Sequence, residues 1–246
     1  MHYLGTEWVL RRILPEDSKL EEFIRIDVAI PATRALHRSR VAHLAELMVN
    51  LQHVPGFAET ILPSLRDKEI EPVFAELMAG ERVQRLGLDF AFRPPNSVRG
   101  ESFDLDIVVG GLHLCGETKC KVITTAPAEK TLINVIGRAR SKNLPNDQPG
   151  VVFVLVPQHW MEPGFFSKLV AAIEGYLETA GRLVAVSLGS WIYGVGKDTV
   201  ESAIIWRTVI NRQSRYYDPR VEALAGEQVQ PIRWMELPKL WEDHLR

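Results

Sequence analysis

Between Phe103 and Val122 the chain reads FDLDIVVGGLHLCGETKCKV, and no other stretch constrains the fold as much. Two short runs rich in β-branched and apolar residues flank Gly110-Gly111. A Gly-Gly pair between such runs signals a β-hairpin, because the tight two-residue turns need φ > 0. With these glycines as the turn, Val109 faces Leu112, Ile107 faces Leu114, and Asp104 lies opposite Glu117. Alternation along the strands then sorts the side chains. Leu105, Ile107, Val109, Leu112 and Leu114 form an ordinary core face. Asp104, Asp106, Cys115, Glu117 and Lys119 form the other, which gathers carboxylates and a lysine in the middle of strands.

Carboxylates side by side repel and are costly to bury unpaired, so one of a crowded set is expected to titrate high. A hard divalent cation removes that cost. Mg²⁺ takes oxygen ligands, usually one or two carboxylates with waters and phosphate oxygens. Lys119 points into the same space as Glu117, where its ammonium is placed to orient water or to stabilise charge developing on a phosphate. The Thr118 carbonyl offers a further oxygen. A Glu-x-Lys alone carries little information, since charges at i and i+2 are common on solvated strands. Its place in the order of elements carries more.

That order is a helix with a central glutamate, a short strand, the Asp strand, a glycine turn, the Glu-Thr-Lys strand, a second helix and an apolar strand. Asp106 followed by Glu117-Thr118-Lys119 resembles the PD-(D/E)XK nuclease superfamily, the restriction-endonuclease-like fold. The resemblance covers roughly residues 71–187. It implies an α/β protein with an αβββαβ core, a mixed sheet flanked by helices, and Mg²⁺-dependent (or Mn²⁺-dependent) hydrolysis of phosphodiester bonds. By the same resemblance Asp106, Glu117 and a glutamate of the first helix hold the metal, and Lys119 serves the reaction. That helical glutamate is Glu76, with Glu81 as the fallback. Leu105 stands where the family often has proline. Asp106 fits the family's pattern of an aspartate before two hydrophobic residues; Asp104 fits the pairing opposite Glu117. Both therefore stand as metal-ligand candidates. The second core helix implies a basic contact to the scissile phosphate, assigned to Arg138. Arg99, with Arg93, sits near the loop leading to the Asp strand and is a candidate backbone-phosphate contact.

The composition neither demands nor forbids this. The 246 residues are 46% hydrophobic and 24% charged, enough for a sizeable core, with a net charge of -2. Nucleic-acid binding must then rest on a local patch or on the charge of a bound cation. Cys115 and Cys120 are the two cysteines. Their odd spacing along one strand puts them on opposite faces, so no disulfide or zinc site is expected. With no run of ~18 apolar residues, the expected setting is the reducing cytoplasm. The expected partner is nucleic acid, DNA ahead of RNA, with no membrane; a homodimer is compatible with the sequence.

Three stretches are expected: a helical N-terminal appendage over 1–70, the nuclease-like core over 71–188, and a C-terminal extension packed on the core over 189–246. In the first, Trp8 and Val9 begin one apolar face, and Leu20, Phe23, Ile24 and Ile26 mark another. Pro31 opens a helix through Leu51. Its basic run, Arg34, His37, Arg38, Arg40 and His43, reads as a solvated face, with a phosphate-contacting or partner-contacting surface as the sharper alternative. The core helix over 71–86 ends at a Gly87 cap. Residues 128–142 form the second helix, and VVFVLVP after Gly150 is a strand buried on both faces. A helix over 163–180 and a strand over 182–188 complete a βαβ run, which predicts parallel pairing with a right-handed crossover. Arg207, Arg212, Arg215 and Arg220 beside Trp206, Tyr216 and Tyr217 read as surface arginines next to core aromatics, with base stacking as the alternative. The tail is expected to run from strand to helix and dock through Trp234, Leu240 and Trp241. The rival to the nuclease reading is a catalytically silent member of the same fold, acting in binding or assembly.

Overall fold

A computed structural model describes residues 4–12, 31–67, 69–96, 98, 100–121, 125–195 and 200–233. Its elements in chain order are α1 (Gly5–Arg12), α2 (Pro31–Leu51), a π-helical turn (Phe57–Ile61), α3 (Leu62–Asp67), α4 (Ile70–Arg85), β1 (Asp89–Phe92), β2 (Leu105–Val109), β3 (Leu112–Cys120), α5 (Glu129–Lys142), β4 (Gly150–Leu155), α6 (Pro163–Leu177), β5 (Leu183–Val195), β6 (Val200–Ile210) and β7 (Gly226–Arg233). Short 3₁₀ turns precede α6 and follow β6.

The Gly-Gly pair is the turn of the β2–β3 hairpin. Gly110 and Gly111 have φ of 54° and 83°, the positive values a type I′ turn requires. The register follows: Ile107 pairs with Leu114 and Asp106 with Cys115. Seven described strands form one sheet in spatial order β1 to β7, the same as chain order. β1–β2–β3 is an antiparallel meander. β3, β4 and β5 run parallel, because each connection carries a helix, α5 or α6. β6 and β7 return antiparallel. The result is a mixed open sheet flanked by helices.

Helices cover both faces. On one, α1 to α4 bury Trp8, Leu47, Leu51, Leu65, Phe74 and Leu77 against Leu105, Ile107, Leu114, Val151 and Phe153. On the other, Leu132 and Ile136 of α5 and Leu169 and Ile173 of α6 pack on Val152, Val154, Val186 and Leu188. All six residues of β4 are buried, and they divide between the two layers by alternation. The α4 terminus explains the entry to the sheet. Leu88 N–H donates to Val83 O (3.3 Å) and Gly87 N–H to Gln84 O (2.9 Å), the paired bonds of a Schellman cap, with Gly87 at φ 71°.

The sequence expectation needs correction in one place and extension in another. Arg40 and His43 are not on a solvated face: they are 8% and 0% exposed. His43 packs edge-on against Phe74 and Trp191, and the Arg40 guanidinium lies 5.5 Å from the Trp191 ring centre. α2 is covered by α4 and by the sheet, so a basic run on it had to find aromatic and acidic company. The fifth strand continues beyond 188 to Val195, and one core is continuous from Trp8 to Leu224. The helix of the expected C-terminal tail, with Trp234, Leu240 and Trp241, lies outside the described residues, as do Leu20, Phe23, Ile24 and Ile26.

Gly189 gives a direct test of this packing. A Cβ there would stand only 2.3–2.6 Å from three carbons of the Trp206 ring, and Trp206 is 2% exposed in the core. Gly189→Ala is therefore expected to cost about 1–3 kcal/mol of stability through overpacking, measured by urea denaturation. A neutral result would mean that the β5–β6 pairing is looser than the register indicates.

Candidate active site

β3 puts Cys115, Glu117 and Lys119 on one face by alternation, alongside Val152 and Val154 of the paired strand. Asp104 directly precedes β2 and is fastened to β3 twice. Its N–H donates to Gly116 O (2.9 Å), and its Oδ2 accepts from the Thr118 N–H at 2.7 Å. A charged acceptor at that distance makes a strong bond, which fixes the Asp104 carboxylate next to Glu117.

Glu117 is the unusual group. It is 1% exposed, its Oε1 accepts from Lys119 Nζ, and its Oε2 is buried without a hydrogen-bond partner. Burial pushes its carboxyl up to about 9; the Asp104 charge adds to the push, the Lys119 charge and hydrogen bond oppose it, and Glu76 of α4 adds a smaller push. The expected high-titrating carboxyl of the acidic set is thus Glu117. Lys119 keeps a third of its side chain exposed, so one end of the pair reaches solvent.

The other expected residues are placed as follows. Asp106 lies on the same face, opposite Cys115, but two residues nearer the turn. There it bonds the exposed His113 (Oδ1 to Nδ1, 3.1 Å). Glu76 is half-buried on α4. Glu81, the fallback, is instead engaged elsewhere: it bonds Arg85 at 3.0 Å and faces the buried His43 ring. Arg138 is exposed on α5. Arg93 stacks over Phe103, 5.1 Å from its ring centre. Arg99 lies outside the described residues. Among the described residues, no group of three or more His, Cys, Asp and Glu converges closely enough to hold a metal ion.

Cys115 is no nucleophile here. Burial and then the Asp106 charge push its thiol up to about 12, and Sγ donates to Gln148 Oε1; the thiolate is the reactive form. Neither Cys115 nor Cys120 is in a disulfide, and they lie on opposite sides of the sheet. Trp206 is buried and Tyr216 and Tyr217 are partly buried, while Arg212 and Arg220 form exposed ion pairs with Glu222 and Asp218.

One group escaped the sequence. Arg140, Arg182 and Arg215 line a common hollow, although they come from a helix, a turn and a loop far apart along the chain. No local pattern marks such a set. Comparison of the chain with protein-family models, with curated proteins and with solved structures finds no match.

Proposed function

We propose that the protein is a metal-dependent phosphodiester hydrolase with a restriction-endonuclease-like core, acting on nucleic acid, with Glu117 and Lys119 at the centre of its site. The observation that carries this reading is the Glu117 carboxyl, buried beside Asp104 with Oε2 unpartnered and Lys119 on Oε1. Burying one carboxylate next to another costs stability, and a fold that served only packing would place an apolar residue there. The element order gives independent support. α4, the β1–β2–β3 meander, α5 and the parallel β4 follow the sequence of the resembling family.

The donor set suits a hard cation: a buried, orphaned carboxylate oxygen, with a second carboxylate fixed beside it. Glu117 and Asp104 would hold Mg²⁺ or Mn²⁺, with Asp106 and Glu76 as flanking carboxylates. When bound, such an ion lowers the pKa of water and offsets charge on a phosphate oxygen. The protein's own part is to keep Glu117 dry and oriented, to fix Asp104 through the Thr118 N–H, and to present the Lys119 ammonium at the solvent edge for water or phosphate.

Cation binding requires the ionised form of Glu117 and so releases its proton. Millimolar Mn²⁺ is therefore expected to raise the melting temperature, and to do so more at pH 8.5 than at pH 6.5. At a hundred times the dissociation constant the gain is about 2.7 kcal/mol. Glu117→Gln is expected to abolish the rise. Melts in Mn²⁺ and in chelator, at both pH values, provide the measurement. A wild type indifferent to Mg²⁺ and Mn²⁺ at both pH values would favour the silent-fold rival, with Glu117–Lys119 as a structural pair.

A further inference from the structure

We propose that the hollow at the amino ends of β4 and β5 is a phosphate-binding site, separate from the Glu117–Lys119 centre. It is a cavity of about 320 Å³ lined by Arg140, Ser141, Asn146, Gly181, Arg182 and Arg215. That volume lies at the small end of the range for small-molecule sites, ~300–1,000 Å³. The three guanidiniums enter from different elements: α5, the α6–β5 turn and the segment after β6. Among the described residues none of them pairs with a carboxylate.

Structural duties account for only part of this set. Arg182 closes the end of α5, donating to Arg140 O, Pro145 O and Asn146 Oδ1. Arg215 donates to Asn146 O. Those acceptors are neutral and leave the positive charge uncompensated. Among the described residues the Arg140 guanidinium makes no hydrogen bond; its charge rests over the Tyr176 ring, 5.4 Å from the centre. A guanidinium has five N–H donors, so Arg140 and Arg215 keep most of theirs. The charges of Arg140 and Arg215, after burial, lower the affinity of Arg182 for its proton. Three like charges around one hollow repel, and they do so more strongly than in open water. An anion entering the hollow reverses that cost.

Phosphate fits better than carboxylate. A planar carboxylate takes bidentate forks within one plane, whereas a tetrahedral phosphate accepts guanidinium forks from several sides. Ser141 and Asn146 also line the hollow. The site is distinct from the candidate active site in position. The hollow adjoins the start of β4, while Glu117 and Lys119 pair with Val152 and Val154 farther along it. The phosphate can belong to a terminal monoester or to a strand's diester backbone; the chemistry recognised is the same.

Thermal melts of the full chain in inorganic phosphate, against chloride at equal ionic strength, test the site. Fluorescence anisotropy with a short single-stranded oligonucleotide, with and without a 5′-phosphate, separates the two sources. The probes are expected to bind in chelator, with no divalent cation present, so binding here does not depend on the active-site reading. Arg140→Gln and Arg215→Gln are each expected to weaken binding about tenfold or more, as for the loss of one charge-assisted hydrogen bond. Neither substitution removes the Arg182 bonds that close α5. Arginine-dependent binding of inorganic phosphate or of the 5′-phosphorylated strand alone assigns a monoester site; equal arginine-dependent binding of both strands assigns a diester contact. Phosphate stabilisation no greater than that of chloride, with oligonucleotide binding absent or unchanged in both variants, overturns the proposal.

Discussion

Glu117→Gln is expected to stabilise the metal-free protein at neutral pH, and by more as the pH rises. The folded chain holds the Glu117 proton up to about 9, against an ordinary value of 4.5. The unfolded chain releases that proton near the ordinary value. Between the two, the folded state binds more protons than the unfolded one, so unfolding free energy falls with pH. Below 4.5 both states are protonated and the penalty is absent; above about 9 both are ionised and it is at its full size. At pH 7 the gap amounts to about 3 kcal/mol. The substituted amide has no proton to lose, and its oxygen would still accept from Lys119. For a chain of this size the gain corresponds to roughly 6–12 °C in melting temperature. Melts of both proteins in chelator from pH 5 to pH 9 provide the check: the curves should meet near pH 5 and diverge upward. A variant less stable than wild type by a constant amount would show that Glu117 is ionised in the fold and that Lys119 pairs with it structurally.

Much of this site was legible because its parts are local. The Gly110-Gly111 turn fixes the hairpin register, and register alone assigns Asp104, Asp106, Glu117 and Lys119 to one face. Alternation does not say which carboxylate is buried or which aspartate stands nearest Glu117. Those depend on what lies across the strand and on α4. Asp104 gains its place through the Thr118 backbone N–H, one residue beyond its predicted partner Glu117, whereas Asp106 finds His113. Both outcomes need side-chain geometry that strand parity does not contain. The α2 basic run misleads for a related reason. A helix-spaced set of charges looks solvated until another layer covers it, and the cover over Arg40 and His43 comes from Phe74 and Trp191, which are remote in the chain. The arginine hollow was the least legible, because three distant segments meet there only after the parallel crossovers are made.

Lys119→Ala is expected to remove divalent-dependent cleavage of nucleic acid while leaving the fold in place. Lys119 Nζ sits on Glu117 Oε1, with a third of the side chain open to solvent, where a phosphodiester could reach it. Loss of a single preorganised donor aimed at developing charge slows a reaction roughly 10²–10³-fold, and a lysine that also orients the attacking water would cost at least as much. Stability should change little, for a specific reason. Lys119 is the group that pulls Glu117 toward ionisation; without it the carboxyl titrates higher still and remains neutral at pH 7. No buried charge is then stranded, and the change should stay at about 1 kcal/mol, the net worth of the hydrogen bond that Lys119 gives the neutral carboxyl. The measurement is cleavage of single- and double-stranded DNA and RNA in Mg²⁺ and in Mn²⁺, with circular dichroism melts of the same samples. Full activity in Lys119→Ala would remove Lys119 from the reaction. A wild type that cuts none of these substrates, together with a Lys119→Ala protein that melts far below it, would make the pair a structural one and the protein a silent member of its fold.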